Sequence, residues 1–481
     1  DACVSMDNQS FLFDDVYEPL RDAGEREVFL EILQSYIMDE EVTSLPPPLV
    51  KDLVESCISK NQVTHLEELL CRLDPRTFDL DQITTLCKTH YLYDALIFVW
   101  NEALEEYVTP LSDLLTLLRD VKDRQDETEE AALESAIKVF PYLAFVLTGR
   151  KYPQGDFLDD EKADTQKGNI YRYLFSHEPT GWPPGSSFIL RTRSNHAGEP
   201  AFPYLRLLLE YDAASFMSMM TEAFEDPYLN DSQEDGLTYS QSQTNGAGLK
   251  ITRQYIVSVL LDVMASDDFE PEQTIYLDMF IARNLPKYPQ FMVLSSSSLH
   301  QVLDRLCSFR EDDLADDTQL SAEYLLSVYH PPVTTALIEQ LREAEFYRVL
   351  KTLYRSEHRP VDLIKTYFED PQGKTGIFDD LAYALQESPE KQTIQLKDLL
   401  CEYAQELAAI NTSKTAQTLA RYTDDILERF VDAIGETYTR FHFLRTLLEP
   451  SLLDHRFKKT VSEPVSESLV ARFCEQYVEL M

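Results

Sequence analysis

One aromatic-bounded outline recurs along this chain, and that recurrence constrains the fold more than any single residue does. Tyr93-Asp94-Ala95-Leu96-Ile97-Phe98-Val99-Trp100 carries it first. Tyr211-Asp212-Ala213-Ala214-Ser215-Phe216 returns the aromatic, the acid, the small residue and the second aromatic in register. Tyr347-Arg348-Val349-Leu350-Lys351-Thr352-Leu353-Tyr354 starts and ends on an aromatic around an apolar pair. Residues three and four apart share a helix face, so each copy sets a bulky ridge at matching places. A helical unit repeated in this way predicts an all-α fold, a solenoid of stacked antiparallel helix pairs. One pair buries only the face between its own helices, so neighbours above and below must cover the rest.

Apolar spacing places many of the helices. Pro46-Pro47-Pro48 starts one with Leu49, Leu53, Val54, Cys57 and Ile58 on a single face. Val63, Leu66, Leu69, Leu70 and Leu73 continue in the next, which must stop before Asp74-Pro75. Asp79 and Gln82 have the spacing of a reciprocal N-terminal cap. Thr109-Pro110 predicts a cap followed by proline at the first helical position, opening Leu111 to Leu118. Short links between these helices imply antiparallel neighbours. Leu205 to Phe224 is helical again, and periodicity resumes at Ile251, with a further start at Ser388-Pro389-Glu390. Leu419 to Leu448 reads as one long helix or two joined near Gly435. Strand-like alternation is confined to a weak instance at Ser187 to Arg191.

Two stretches interrupt the pattern. From Gly149 to Pro203, Gly, Pro and charge dominate around one apolar piece, Ile170 to Phe175. Asp226 to Lys250 is too polar to bury much and predicts a mobile loop. The expected organisation is a helical block over 1–148, a connector or insertion with loops and one short helix over 149–204, and a second helical block over 205–481 that carries the loop 226–250.

Composition narrows the function. Only 13 of 481 residues are Gly, well under the usual ~7%, which disfavours phosphate-cradling loops and most β architectures. A net charge of −41, from 84 acids against 43 bases, repels nucleic-acid phosphates and anionic membrane surfaces. Acidic runs such as Asp123 to Glu130, or Asp312-Asp313 with Asp316-Asp317, read as solvated faces. No apolar run approaches the ~18–20 residues a membrane-crossing helix needs. Seven cysteines, at 3, 57, 71, 87, 307, 401 and 474, include no C-x-x-C pair. Cys57 and Cys87 lie on apolar helix faces, as free buried thiols do, and a reducing compartment is expected. The first residue is Asp and no secretory leader is evident, so the chain is expected to be part of a longer protein.

Candidate chemistry is sparse. Gly373-Lys374-Thr375 imitates the end of a phosphate-binding loop, but Phe368 stands where that motif needs its first glycine, and the preceding segment is helical. The nine histidines show no metal-ligand spacing. His300 follows Ser295 to Ser298 without the framework a serine nucleophile requires. Asp159-Asp160, Asp379-Asp380 and Asp424-Asp425 are adjacent acids, which point apart on a helix. Asn8, Asn230 and Asn411 open glycosylation triplets that mean little in a cytosolic chain. Trp100, flanked by Leu96, Val99, Ala103 and Leu104, is expected in the core. The reading is therefore of a chain that is not an enzyme, with no catalytic, cofactor-binding or metal-binding residues and no cofactor; an all-α enzyme using acidic residues is the remote alternative.

A family resemblance adds to this. Leu73-Asp74-Pro75, Phe78-Asp79-Leu80-Asp81-Gln82, His90, Tyr93 to Asn101 and Tyr107-Val108-Thr109-Pro110-Leu111 together resemble the central signature of the vacuolar protein sorting-associated protein 8 family. Ile170 to Phe175 followed by Gly181-Trp182-Pro183 is similar to that family too. Glu345 to Leu350, Leu353-Tyr354 and Leu363 to Phe368 resemble clathrin-heavy-chain-type repeats, which are generic to trafficking solenoids. The resemblance implies a cytoplasmic scaffold, peripheral on endosomal membranes, within the CORVET tethering complex. Its implied partners are the other CORVET and class C core subunits and an endosomal Rab GTPase, with no nucleic acid and no direct membrane insertion. The family also implies an N-terminal β-propeller and a C-terminal zinc module; this chain shows neither pattern, so the family's Rab recognition and zinc-module contacts need not reside in it. A subunit of the HOPS tether or a vesicle coat is the alternative. No functional residue carries over, because the signature reads as structural.

Overall fold

Helices begin where the sequence supplies a cap or a proline, and several end on a left-handed residue. The computed structural model describes residues 11–124, 130–176, 180–181, 189–190, 202–230, 251–265, 268–448 and 467–480. The chain divides into two compact units, Asp1–Leu294 and Ser295–Met481.

In the first unit a π-helical turn at Phe11–Tyr17 leads into α1 (Glu18–Asp22) and α2 (Arg26–Met38). Pro47 and Pro48 open α3 (Pro47–Ser59), and α4 (Val63–Arg72) ends as predicted before Asp74-Pro75. Asp79 caps α5 (Leu80–Thr89) by accepting the Gln82 amide N–H at 3.1 Å. The Gln82 side chain meanwhile donates to the Pro47 carbonyl at 3.2 Å, tying α5 to α3. After α6 (Tyr93–Leu104) comes α7 (Val108–Arg124), which starts earlier than Thr109-Pro110 predicts. Glu106 accepts the Val108 N–H at 3.2 Å, leaving Pro110 in a first turn that needs no N–H from it.

Next come α8 (Glu130–Ile137), α9 (Val139–Leu147) and α10 (Asp160–Phe175), whose 16 residues extend well beyond the apolar piece read from the sequence. Of the weak alternation at Ser187 to Arg191, Ile189–Leu190 pairs antiparallel with Thr180–Gly181, and the other residues lie outside the described ones. The unit closes with α11 (Pro203–Ala223), α12 (Arg253–Met264) and α13 (Pro271–Asn284). Most of the predicted loop 226–250, namely 231–250, lies outside the described residues; Pro227–Leu229 is a 3-10 turn.

The second unit comprises α14 (Ser296–Ser308), α15 (Ala315–Leu326), α16 (Thr335–Glu343), α17 (Tyr347–Ser356), α18 (Pro360–Glu369) and α19 (Ile377–Glu387). It continues through α20 (Glu390–Glu402), α21 (Ala404–Ile410), α22 (Thr412–Tyr422), α23 (Leu427–Ala433), α24 (Thr437–Leu448) and α25 (Glu467–Leu480). Leu419 to Leu448 thus spans parts of three helices, with the predicted break near Gly435 and a second at Thr423.

Within each unit, helices pack on their successors and on the helix after that. α2 meets α4, α3 meets α5 and α4 meets α6; in the second unit α14 meets α16, α15 meets α17, α18 meets α20 and α22 meets α24. That pattern is the stacking of helix pairs, so the all-α solenoid expected from the repeat is what the chain forms. Each unit has its own apolar core: Leu53, Leu66, Leu70, Leu96 and Leu111 are fully buried in the first unit, and Leu303, Leu325, Leu350, Ile364 and Leu381 in the second.

Four of the joints share one geometry. Asn61, Tyr91, Glu345 and His358 are left-handed, with φ of 56°, 58°, 59° and 53°. The next residues, Gln62, Leu92, Phe346 and Arg359, donate their N–H back to Cys57, Cys87, Leu341 and Tyr354 carbonyls at 2.9–3.0 Å. Each joint closes the ended helix with a 6→1 bond and launches the next at Val63, Tyr93, Tyr347 or Pro360. The recurring outline therefore marks helix starts at Tyr93 and Tyr347. At Tyr211 it marks a bend instead: Asp212 leaves helical geometry (φ −155°, ψ 90°) and its carboxylate re-caps the chain by accepting the Ser215 N–H at 2.9 Å.

Candidate docking surfaces

Residues that sequence alone makes suspicious for catalysis turn out to have architectural jobs. Ser295 caps α14 by accepting the Ser298 N–H at 3.1 Å, and His300 is exposed beside Asp304 at 3.8 Å. Lys374–Gly376 forms a 3-10 turn, while Gly373 closes around a buried ion pair: Lys351 Nζ donates to Asp370 at 2.6 Å and to the Gly373 carbonyl at 3.2 Å. The other Asp370 oxygen accepts the Gln372 and Gly373 amides at 2.8 and 2.9 Å.

Asp379 and Asp380 separate as expected for helix neighbours. Asp379 is exposed, and Asp380 accepts from Arg355 and from the Tyr367 hydroxyl at 2.7 Å. Asp159 and Asp160 are both exposed, and Asp425 pairs with Lys397 at 2.8 Å; the Asp424 side chain is outside the described residues. Asn411 caps α22 through Lys414 N–H at 2.9 Å. Asn8, Ser232, Cys3 and Trp182 also lie outside the described residues.

Trp100 departs from expectation. It is half-buried rather than enclosed, next to Leu104, which is 47% exposed, and its indole Nε1 is shut from water with no acceptor among the described residues. Val99 and Asn101 on either side of it are buried, so at this end of α6 it is the face shared by Trp100 and Leu104 that opens to solvent. Cys57, Cys87 and Cys307 are buried and free, Cys71 and Cys401 half-buried, Cys474 exposed. Burial pushes the Cys57 thiol up and the Cys307 thiol up to about 12, which leaves both as inert packing groups.

Several ionisable groups meet around Lys138 in the first unit. Lys138 Nζ lies 3.0 Å from Glu67 and 2.9 Å from Asp94, and the Tyr152 hydroxyl donates to Asp94 at 2.7 Å. Glu67 also accepts the Asp94 backbone N–H at 2.9 Å, so a residue of α4 caps α6 two helices on. Gln319 of α15 does the same for Arg348 at the start of α17, again at 2.9 Å. Burial, then the Asp94 charge, raises the Glu67 carboxyl above its ordinary range. Burial lowers the Lys138 ammonium, but Glu67 and Asp94 outweigh it and leave it raised. None of these groups lines the two clefts described on the unit's surface, and the cluster ties α4 and α6 to the segment between α8 and α9. Nor, among the described residues, is there a group of three or more His, Cys, Asp or Glu placed to hold a metal.

What remains is surface. No described helix is long and apolar enough to cross a membrane. Two open clefts mark the second unit. One, of about 440 Å³, lies beside the His358 joint with exposed Tyr383 on its wall. The other, of about 590 Å³, runs past the loop after α14, the Glu345 joint and the loop after α18. Sequence reasoning found neither, because each is lined by residues from several joints that are far apart in the chain.

Comparison with known proteins accounts for the first unit's signature. The family model described as Vps8 central TPR matches residues 28–224. Vacuolar protein sorting-associated protein 8 of Saccharomyces cerevisiae is 28% identical over 75% of this chain and 28% of its own length. The Mus musculus and Homo sapiens homologues are each 26% identical, over 100% and 99% of this chain and 32% of their own lengths. The chain thus spans about a third of the curated relatives it matches. A solved circular tandem repeat protein aligns end to end at 11% identity with a TM-score of 0.20, and the fold rests on the helices described above instead. The motif residues of the resemblance, Asp74, Asp79 and Asp94, are the ones that cap and tie α4, α5 and α6. The family model and these relatives make the chain similar to the vacuolar protein sorting-associated protein 8 family, whose central helical-repeat model covers residues 28–224.

Proposed function

We propose that this chain is a non-enzymatic docking scaffold of an endosomal tethering complex of the CORVET type, acting in transport to the endosome and vacuole. The observation that carries the reading is the fate of the ionisable residues: they cap helices, tie neighbouring pairs together or face solvent, while the open surface consists of clefts between joints. The names of the relatives, vacuolar protein sorting-associated proteins, support a trafficking role. On this reading attachment to endosomal membranes is indirect, through other CORVET and class C core subunits and an endosomal Rab GTPase, because a chain at −41 is repelled by anionic lipid. The three-part organisation over 1–148, 149–204 and 205–481 is kept as part of the proposal, with 149–204 as an insertion between blocks that dock different partners.

The test is co-purification of the tagged chain with CORVET subunits against HOPS-specific ones. Recovery of CORVET subunits is the expected result. Recovery of HOPS-specific subunits alone moves the chain to that tether, and recovery of neither removes the tethering reading.

A further inference from the structure

We propose that the cleft along the joints of the second unit binds an extended segment of a partner protein that carries lysine or arginine between apolar residues. This inference rests on the docking role above and gives it a partner chemistry. The cleft is formed by the loop after α14, the Glu345 joint and the loop after α18, so three successive pairs contribute one joint each. Its aromatic lining is the half-buried Phe309 and Tyr347, with Phe346 beside them buried at 3% exposure.

The charges around that lining are unbalanced. Five carboxylates, Glu311, Asp312, Asp316, Glu345 and Asp370, and two guanidinium groups, Arg310 and Arg348, line it. Both cations are engaged within the unit: Arg310 donates to the Glu343 carbonyl at the end of α16, and Arg348 donates to Glu323 at 2.9 Å, with Asp316 at 3.7 Å. Asp370 is satisfied by Lys351. Glu311, Asp312 and Glu345 are exposed, and among the described residues none has an ion-pair partner.

A cleft with aromatic rings and three uncommitted carboxylates suits a side chain with an apolar stem and a cationic head. The stem lies along the rings while the head meets a carboxylate. Like-charge repulsion turns away acidic peptides, nucleic acid and anionic lipid, and the chain's overall charge draws basic partners in.

The experiment is fluorescence anisotropy of a labelled hexapeptide alternating arginine and leucine, titrated with the full chain at physiological salt. A triple variant, Glu311→Gln with Asp312→Asn and Glu345→Gln, is compared with a control that removes three exposed acids from the first unit, Asp159→Asn with Asp160→Asn and Glu161→Gln. The expected result is at least a tenfold loss of affinity in the first variant and less than a twofold loss in the control. Glu345→Gln alone, an exposed single change, should lose about threefold. Equal loss in both triple variants means attraction to bulk charge only and overturns the proposal, as does peptide binding that is absent or unchanged. Failure here with CORVET co-purification intact removes the cleft alone; failed co-purification with the peptide site intact removes the tether reading instead.

Discussion

Lys138 shows how much one residue carries in a stacked fold. Its ammonium sits between Glu67 and Asp94, and removing it leaves the buried Glu67 carboxylate facing the half-buried Asp94 one without a counter-charge. Lys138→Met should therefore destabilise the first unit by about 3–5 kcal/mol, read from urea unfolding. Glu67→Gln should behave oppositely. The folded state holds the Glu67 proton more tightly than the unfolded chain does, so stability is lost as pH rises from the ordinary value of 4.5 through the raised one. Replacing Glu67 with the neutral amide removes that loss, and the variant should match or exceed the parent at pH 7. The left-handed residues make a second case. A non-glycine residue there costs ~1–2 kcal/mol, and glycine's extra freedom when unfolded returns only part of it. His358 is exposed, so His358→Gly should stabilise the second unit by about 0.5–1 kcal/mol in thermal unfolding. The scarcity of glycine in this chain thus reflects left-handed joints filled by Asn, Tyr, Glu and His, and not an absence of such joints.

Elements were legible wherever a local signal decided them. Pro47, Asp79 and Pro389 announce helix starts, and Leu73-Asp74-Pro75 announces an end, because caps and proline act within one turn of chain. The errors have a common cause. α7 starts early because Glu106 reaches forward, α11 bends because Asp212 supplies an internal cap, and α10 runs long because its polar first half packs only on one side. None of these has a periodic signature. The loop between α18 and α19 was misleading for a similar reason: Gly373-Lys374-Thr375 looks like phosphate chemistry, but the glycine is there to let Lys351 and Asp370 meet. A Cβ on Gly373 would stand 2.3 Å from the Asp370 carboxylate and 2.7 Å from Lys351 Nζ. Gly373→Ala should cost about 1–3 kcal/mol by overpacking a buried pair, measured as a shift in the urea midpoint.

Across the whole molecule, acid sensitivity should follow the tied carboxylates. Burial raises Asp370 and Asp380, but bonds from Lys351 and the Gly373 amide to the first, and from Arg355 and Tyr367 to the second, leave both below their ordinary 3.8. Their contribution is present above that value and lost as pH falls through the depressed ones, so the second unit should weaken steeply below about pH 3.8. A series of thermal melts from pH 5 to pH 2.5 checks this, and Asp370→Asn should flatten the slope. The repeated aromatic outline, the apolar faces and the caps were enough to determine a stack of antiparallel helix pairs, because each is a relation between residues a turn or two apart. Which ionisable groups meet, where the joints line up into clefts and which carboxylates are left over were decided only by tertiary packing. Those depend on bringing α4 against α6, or the α14, α16 and α18 ends side by side, across tens of residues whose separation in sequence carries no periodic trace.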